Sequence, residues 1–225
     1  MRLIIVGCEY AGTTTLVDNV GAWVERAMGG TMGKHDHWKI PEVSHSAHTK
    51  EENLAFLALS PALRESFQRY HMEYHMSRSF YADPHHVMVG FHIDEAIYAP
   101  LYYGYGGEGQ PAARGSMARR IEAKIMEMAP DTALVLVKAS PEVIARRMKE
   151  EPRHNRLVQE KDIELVLQRF EEEYDRSWLG KKFTLDTSAA TVEESLAQFV
   201  EQFEPLMTEG DRLRMLTHQS VQKGG

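Results

Sequence analysis

The sequence predicts a three-layer α/β/α domain around a mainly parallel five-stranded sheet. Two patterns carry that expectation. Short apolar runs alternate with longer helical stretches, as when parallel strands are joined by helical crossovers. The first run, Leu3-Ile4-Ile5-Val6, opens straight into a glycine-framed loop and then a helix start. A chain of 225 residues suits one sizeable domain. Residues 1–207 read as that domain, with a lid near 151–158 and a loosely ordered polar tail over 208–225.

The elements follow in order. A strand over 2–6 leads to a helix from Thr13 to Met28, stopped by Gly29-Gly30. An extended piece, 31–38, precedes a polar loop from Pro41 to Lys50. Helices are expected over 50–59 and 61–80, the second with Ser60 as N-cap and Pro61 at its first position. The run Val87–Ile93 is the third strand, ending in Asp94-Glu95, with a helix from Ala96 to Tyr103 beyond it. Residues 104–115 hold five of the sixteen glycines and read as a loop. A helix over 116–129, a strand over 133–138 and a helix capped by Ser140 to Glu150 come next. A basic loop, 151–157, a long helix, 159–176, and a strand near 181–185 follow. Thr191-Val-Glu-Glu194 is a capping box for the last helix.

The loop after the first strand is the strongest functional signal. Gly7 and Gly12 have the spacing of a phosphate-binding P-loop, G-x-x-x-x-G-K-[ST], but Thr13 stands where the lysine belongs. The amides around Gly7, Glu9, Tyr10, Ala11, Gly12, Thr13, Thr14 and Thr15 can still form an anion nest at a helix N-terminus. Thr14 falls where a hydroxyl would ligate Mg²⁺. An ordinary strand–turn–helix is the plainer alternative.

In an open parallel sheet, ligands bind beyond the carboxyl ends of the strands. Asp94 is therefore a candidate Mg²⁺ carboxylate, or else a helix cap. Glu95 is a candidate for orienting a water or acceptor hydroxyl. Asp36, near the end of the second strand, could take a proton from a substrate hydroxyl, or simply serve a turn. Arg146, Arg147, Lys149, Arg153 and Arg156 could form a basic lid whose guanidinium groups grip phosphate. A solvated face paired with glutamates is the alternative. Arg78 could bind an acceptor phosphate. Arg114, Arg119, Arg120 and Lys124 read equally well as a solvated helix face. His71 and His75 lie four apart, but Glu73 between them is off their shared face, so a zinc-protease site is not expected.

A net charge of −7 argues against nucleic acid or an acidic membrane as the main partner. No apolar run approaches membrane-spanning length, and no signal segment precedes the first strand. The chain reads as cytoplasmic. Cys8, the single cysteine, allows no intrachain disulfide. A homodimer is left open.

Together these features resemble the P-loop nucleoside and nucleoside-monophosphate kinases, with thymidylate kinase the nearest pattern. Asp94-Glu95-Ala-Ile-Tyr-Ala-Pro-Leu-Tyr-Tyr-Gly-Tyr-Gly is similar to that family's Asp-Arg-Tyr segment leading to Tyr-Gln-Gly. Pro130–Val137 with Ser140–Arg147 resembles its Pro-Asp strand and following helix, Arg153 and Arg156 match its lid, and Gln168–Tyr174 the helix after it. The resemblance covers about residues 1–205. It implies a P-loop kinase fold, ATP as donor, Mg²⁺, and a nucleoside or nucleotide acceptor. Two departures fall at the phosphates: Thr13 for the lysine, and Glu95 for the family's arginine. A non-catalytic nucleotide-binding protein is therefore a second expectation. A third is a sulfotransferase, whose lysine-free Gly-Thr-Thr loop Ala11–Leu16 resembles, although that family's preceding lysine is Tyr10 here.

Overall fold

The chain's β-branched and apolar runs become a sheet because a strand covered on both faces must be apolar throughout. In β1 (Arg2–Val6) the side chains of Leu3, Ile4, Ile5 and Val6 are fully buried. The computed structural model describes residues 1–36, 49–153 and 156–224. Its other strands are β2 (Gly33–Asp36), β3 (His86–Val89), β4 (Ala133–Lys138) and β5 (Lys181–Asp186). All pair in parallel in the order β2-β3-β1-β4-β5. One register row crosses the sheet through Asp36, Val89, Ile5, Val135 and Phe183. The chain order reverses at β1, and that reversal opens the crevice at the carboxyl edge.

Helices α1 (Thr13–Met28), α2 (Lys50–Leu57), α3 (Pro61–Tyr74) and α4 (Arg78–Ala82) precede β3. After it come α5 (Phe91–Tyr98), α6 (Arg114–Met128), α7 (Pro141–Glu150), α8 (Ile163–Arg176), α9 (Val192–Phe203) and α10 (Glu209–Gly224). The expected start at Thr13, the Ser60 cap, the Ser140 cap and the Thr191–Glu194 capping box are all present. None of the described helices is long and apolar enough to cross a membrane.

Three expectations need correction. The apolar run to Ile93 is not one strand: Gly90 (φ 75°) and Phe91 (φ 51°) turn the chain, and α5 begins at once. Asp94 therefore sits in the first turn of a helix, and a π-helical turn, Ala99–Tyr103, continues it. The helix expected over 61–80 breaks after Tyr74, and Ser77 caps α4 anew by accepting a bond from Phe80 N (3.3 Å). The tail expected to be loose is helix α10, which lies against α1. Thr208 and Asp211 form a capping box for it: Asp211 N donates to Thr208 Oγ1 (3.1 Å) and Thr208 N to Asp211 Oδ2 (3.0 Å). Most of the polar loop expected before Lys50 lies outside the described residues.

Candidate phosphate and nucleotide site

The loop from Gly7 to Gly12 crosses the carboxyl edge of the sheet between β1 and α1. Gly7 is obligatory: a Cβ there would lie 2.5 Å from the Val137 carbonyl oxygen of β4. Gly12 takes the left-handed conformation (φ 98°) as the N-cap of α1. No side chain caps α1 and no acidic residue occupies its first turn. Its first N–H groups and its positive dipole end thus face the crevice with no acidic side chain of the helix's own first turn to answer them.

A small cavity of about 50 Å³ lies against this helix end, lined by Gly7, Thr13, Thr14, Gly90, Asp94 and Arg153 among others. Thr14 is exposed and Asp94 is 4% exposed. A hydroxyl and a carboxylate facing one small space are the hard oxygen donors that suit Mg²⁺. The space for that carboxylate depends on Gly90, where a Cβ would meet Asp94 Oδ2 at 2.5 Å. Thr14 and Asp94 thus bring one hydroxyl and one carboxylate to this space, a donor set of the kind that fits Mg²⁺, and among the described residues no group of three or more His, Cys, Asp or Glu could hold a metal by itself.

The other expected site residues separate clearly. Asp36 ends β2 opposite Val89, so its backbone is at the crevice edge. Arg153 comes in from the lid, its guanidinium 4.6 Å from the Tyr10 ring centroid. Arg156 is half-buried, bonds through its N–H to Arg153 O (3.3 Å), and is not among the residues lining the cavity. Arg146 is on the exposed side of α7, 3.8 Å from Glu150. Arg78 opens α4 and lies 4.0 Å from Glu127, on the amino side of β3 and away from the crevice.

Glu95 is not placed to orient a water at the phosphates. Its Oε1 accepts from Tyr105 Oη (2.7 Å) and from Arg114 Nε (2.9 Å), both buried. Burial pushes its carboxyl up, against the pull of Arg114 and Tyr105. Arg114 also pairs with Glu65 (3.0 Å), so this arginine, for which a solvated helix face is one of two readings, is the hub between α3, α5 and α6. Cys8 is buried under the loop, and burial followed by Glu9 and Asp94 raises its thiol pKa, which leaves it unreactive.

Two groups carry more of the site than the sequence suggested. Arg147, read only as one of a basic cluster, donates to Tyr10 O (2.9 Å) and to Thr187 Oγ1 and O (3.1 and 2.8 Å). It thereby joins the loop to the turn after β5. A second cavity of about 320 Å³ opens there, walled by Gly12, Arg147, Thr187, Thr191 and Ser195. Glu9 is the other: its Oε2 accepts from Leu157 N (2.9 Å) and Val158 N (2.8 Å) of the lid. A larger cavity, about 940 Å³, lies between α3, α6 and the glycine-rich loop, and shares no lining residue with the phosphate cavity.

No protein-family model matches the sequence, and no curated protein matches it. Solved structures do. YorR protein from Bacillus subtilis, in complex with phosphorylated GDP, has a TM-score of 0.56 at 16% identity, covering 92% of this chain and 100% of that one. Deoxyadenosine kinase from M. mycoides with bound dATP has a TM-score of 0.55 at 14% identity, covering 91% and 100%. Thymidylate kinase from Candida albicans has a TM-score of 0.59 at 13% identity, covering 91% of each. At such identities the likeness is one of architecture, and it spans nearly the whole of each chain. With its phosphate-type loop at the β1–α1 turn of a 2-3-1-4-5 parallel sheet, the chain has the fold of the P-loop nucleoside and nucleotide kinases.

Proposed function

We propose that the chain is an ATP-dependent phosphotransferase, assisted by Mg²⁺, that acts on a nucleoside, a nucleotide or a similar small acceptor. The observation that carries the proposal is Arg153. Among the described residues lining the phosphate cavity it is the one cation, and it stands beside the Thr13 that replaces the lysine. A guanidinium there can neutralise charge developing on a transferred phosphoryl group, as the lysine does elsewhere.

The donor's phosphates lie on the amides of residues 7–15, and its base fits the cavity between Arg147 and the turn at Thr187. Magnesium, when bound, would neutralise phosphate charge; Thr14 and Asp94 would hold it, and Gly90 keeps the space that Asp94 needs. Asp36, whose backbone ends β2 at the crevice edge, is the residue proposed to take the proton of an attacking hydroxyl. Glu95 and Arg114 keep α5 fixed rather than meeting substrate, which also explains how the chain tolerates an acid where the resembled family has an arginine.

The test is transfer of labelled phosphate from ATP to a panel of nucleosides and monophosphates. Wild type transfers. Arg153→Ala loses on the order of 10²–10³-fold in rate, the usual cost of one electrostatic donor. Adding Thr13→Lys to that variant restores part of the loss. No transfer to any acceptor, with ATP still raising Tm, favours the non-catalytic nucleotide binder. Binding of adenosine 3′,5′-bisphosphate with indifference to ATP favours the sulfotransferase.

A further inference from the structure

Arg153 belongs to the lid, yet the groups that hold it belong to the phosphate loop. Its own N–H donates to Tyr10 Oη (3.2 Å), and its guanidinium lies over the Tyr10 ring. Four residues on, the lid chain is bonded again, by Leu157 N and Val158 N to the Glu9 carboxylate. Glu9 is only 6% exposed, and its own N–H donates to Tyr98 Oη of α5 (3.2 Å). A carboxylate taken out of water needs such charge-assisted bonds, and two backbone N–H groups supply them. Tyr10 holds its position at φ 67°, a conformation that non-glycine residues avoid, and strain of that kind gathers at functional sites. Its carbonyl also takes the bond from Arg147.

We propose that Glu9 and Tyr10 are positioning residues. They fix both sides of the lid to the loop, so that Arg153 stands over the phosphate cavity where a lysine at position 13 would otherwise reach. A loop lysine is placed by its own backbone. A lid arginine has to be placed by contacts, and these two side chains make them. The role of Arg153 toward phosphate rests on the phosphotransferase reading; the contacts themselves do not.

The first experiment is hydrogen exchange on the full chain without nucleotide. Glu9→Gln weakens the acceptor, so the amides of Leu157 and Val158 exchange about tenfold faster or more, with β1 and α7 unchanged. Tyr10→Phe keeps the ring under the guanidinium and speeds exchange at Arg153 alone. Unchanged exchange in both variants overturns the proposal. The second experiment is titration with an ATP analogue and Mg²⁺. Glu9→Gln and Arg153→Ala each weaken binding about tenfold, and the double variant is no weaker than Arg153→Ala, because both act through one guanidinium. Multiplying effects show Glu9 acting independently and overturn its positioning role. Absence of nucleotide binding by the wild type rejects the phosphotransferase reading and the phosphate role of Arg153. The lid contacts are then judged by exchange alone.

Discussion

Gly90 decides where Asp94 can stand. Its φ of 75° suits glycine, and an added methyl would meet Asp94 Oδ2 at 2.5 Å. Gly90→Ala is therefore expected to cost on the order of 1–3 kcal/mol in strain and also to displace the carboxylate. Gly30→Ala is the control: its φ is 82° but nothing lies within 4 Å, so it pays strain without a clash. Thermal shifts by an ATP analogue, with and without Mg²⁺, separate the two. Gly90→Ala should lose the magnesium-dependent part of the shift and Gly30→Ala should keep it; equal behaviour rejects Asp94 as a metal holder. At this scale the sequence was uneven as a guide. Gly7 and Gly12 are legible because fixed spacing and backbone conformation are written in residue type. The tasks of Glu9 and Arg147 are not, because each bonds to residues more than a hundred positions away.

Helix α5 joins the phosphate cavity to the rest of the molecule, and Arg114 of α6 is what it leans on. The guanidinium is 1% exposed and is met by Glu95 of α5, Glu65 of α3 and the Tyr105 ring at 4.9 Å. Removing one partner of a buried pair leaves a charge without compensation, so Arg114→Ala should cost about 3–5 kcal/mol in urea unfolding. Glu95→Gln with Arg114→Met removes the buried pair, leaves Glu65 to its other partner Arg69 (2.8 Å), and should recover much of that loss. A double variant as unstable as Arg114→Ala would mean that packing volume, not charge, sets the cost. Elements of this kind show why boundaries were partly legible. Helix starts with Ser, Thr and Pro signals are where the sequence places them. The strand-to-helix switch at Gly90 was missed because a buried helix and a buried strand are both apolar throughout, and periodicity alone does not separate them. The capping box of α10 was missed because aspartate fills the position usually held by glutamate, in a segment polar enough to pass for a tail.

At the scale of the molecule, alternation of strand and helix was enough to foresee a parallel sheet and a crevice at its carboxyl edge, because crossover handedness and close packing leave few alternatives. What alternation does not contain is which buried polar groups the packing will trap. The largest such group is histidine. His35 of β2, His75 at the end of α3 and His86 of β3 meet Phe80, His71 of α3 packs on His75, and His85 is buried separately beside the N-terminus and Asp211. His75 Nδ1 is 2.9 Å from the His71 carbonyl and so donates to it; a neutral His75 then accepts at Nε2 from His35 Nδ1, 3.3 Å away. Burial is the first cause of lowered pKa throughout: His71, His85 and His86 are each pushed down to about 4 and His75 to about 3, with His35 lowered as well. In the unfolded chain the same imidazoles protonate near their ordinary 6.5. The neutral cluster thus costs nothing above pH 6.5, and its stability is lost as pH falls from there toward about 4, where the folded protein first accepts the protons. The slope is about 1.4 kcal/mol per pH unit for each histidine fully protonated only when unfolded. Urea unfolding between pH 7.5 and 5, a window in which most carboxylates stay ionised, should show stability falling steeply below pH 6.5. His86→Phe, which keeps an aromatic ring against Phe80, should flatten that fall by about one proton's worth. A slope that His86→Phe leaves unchanged would place the acid sensitivity elsewhere than between β2, α3 and β3.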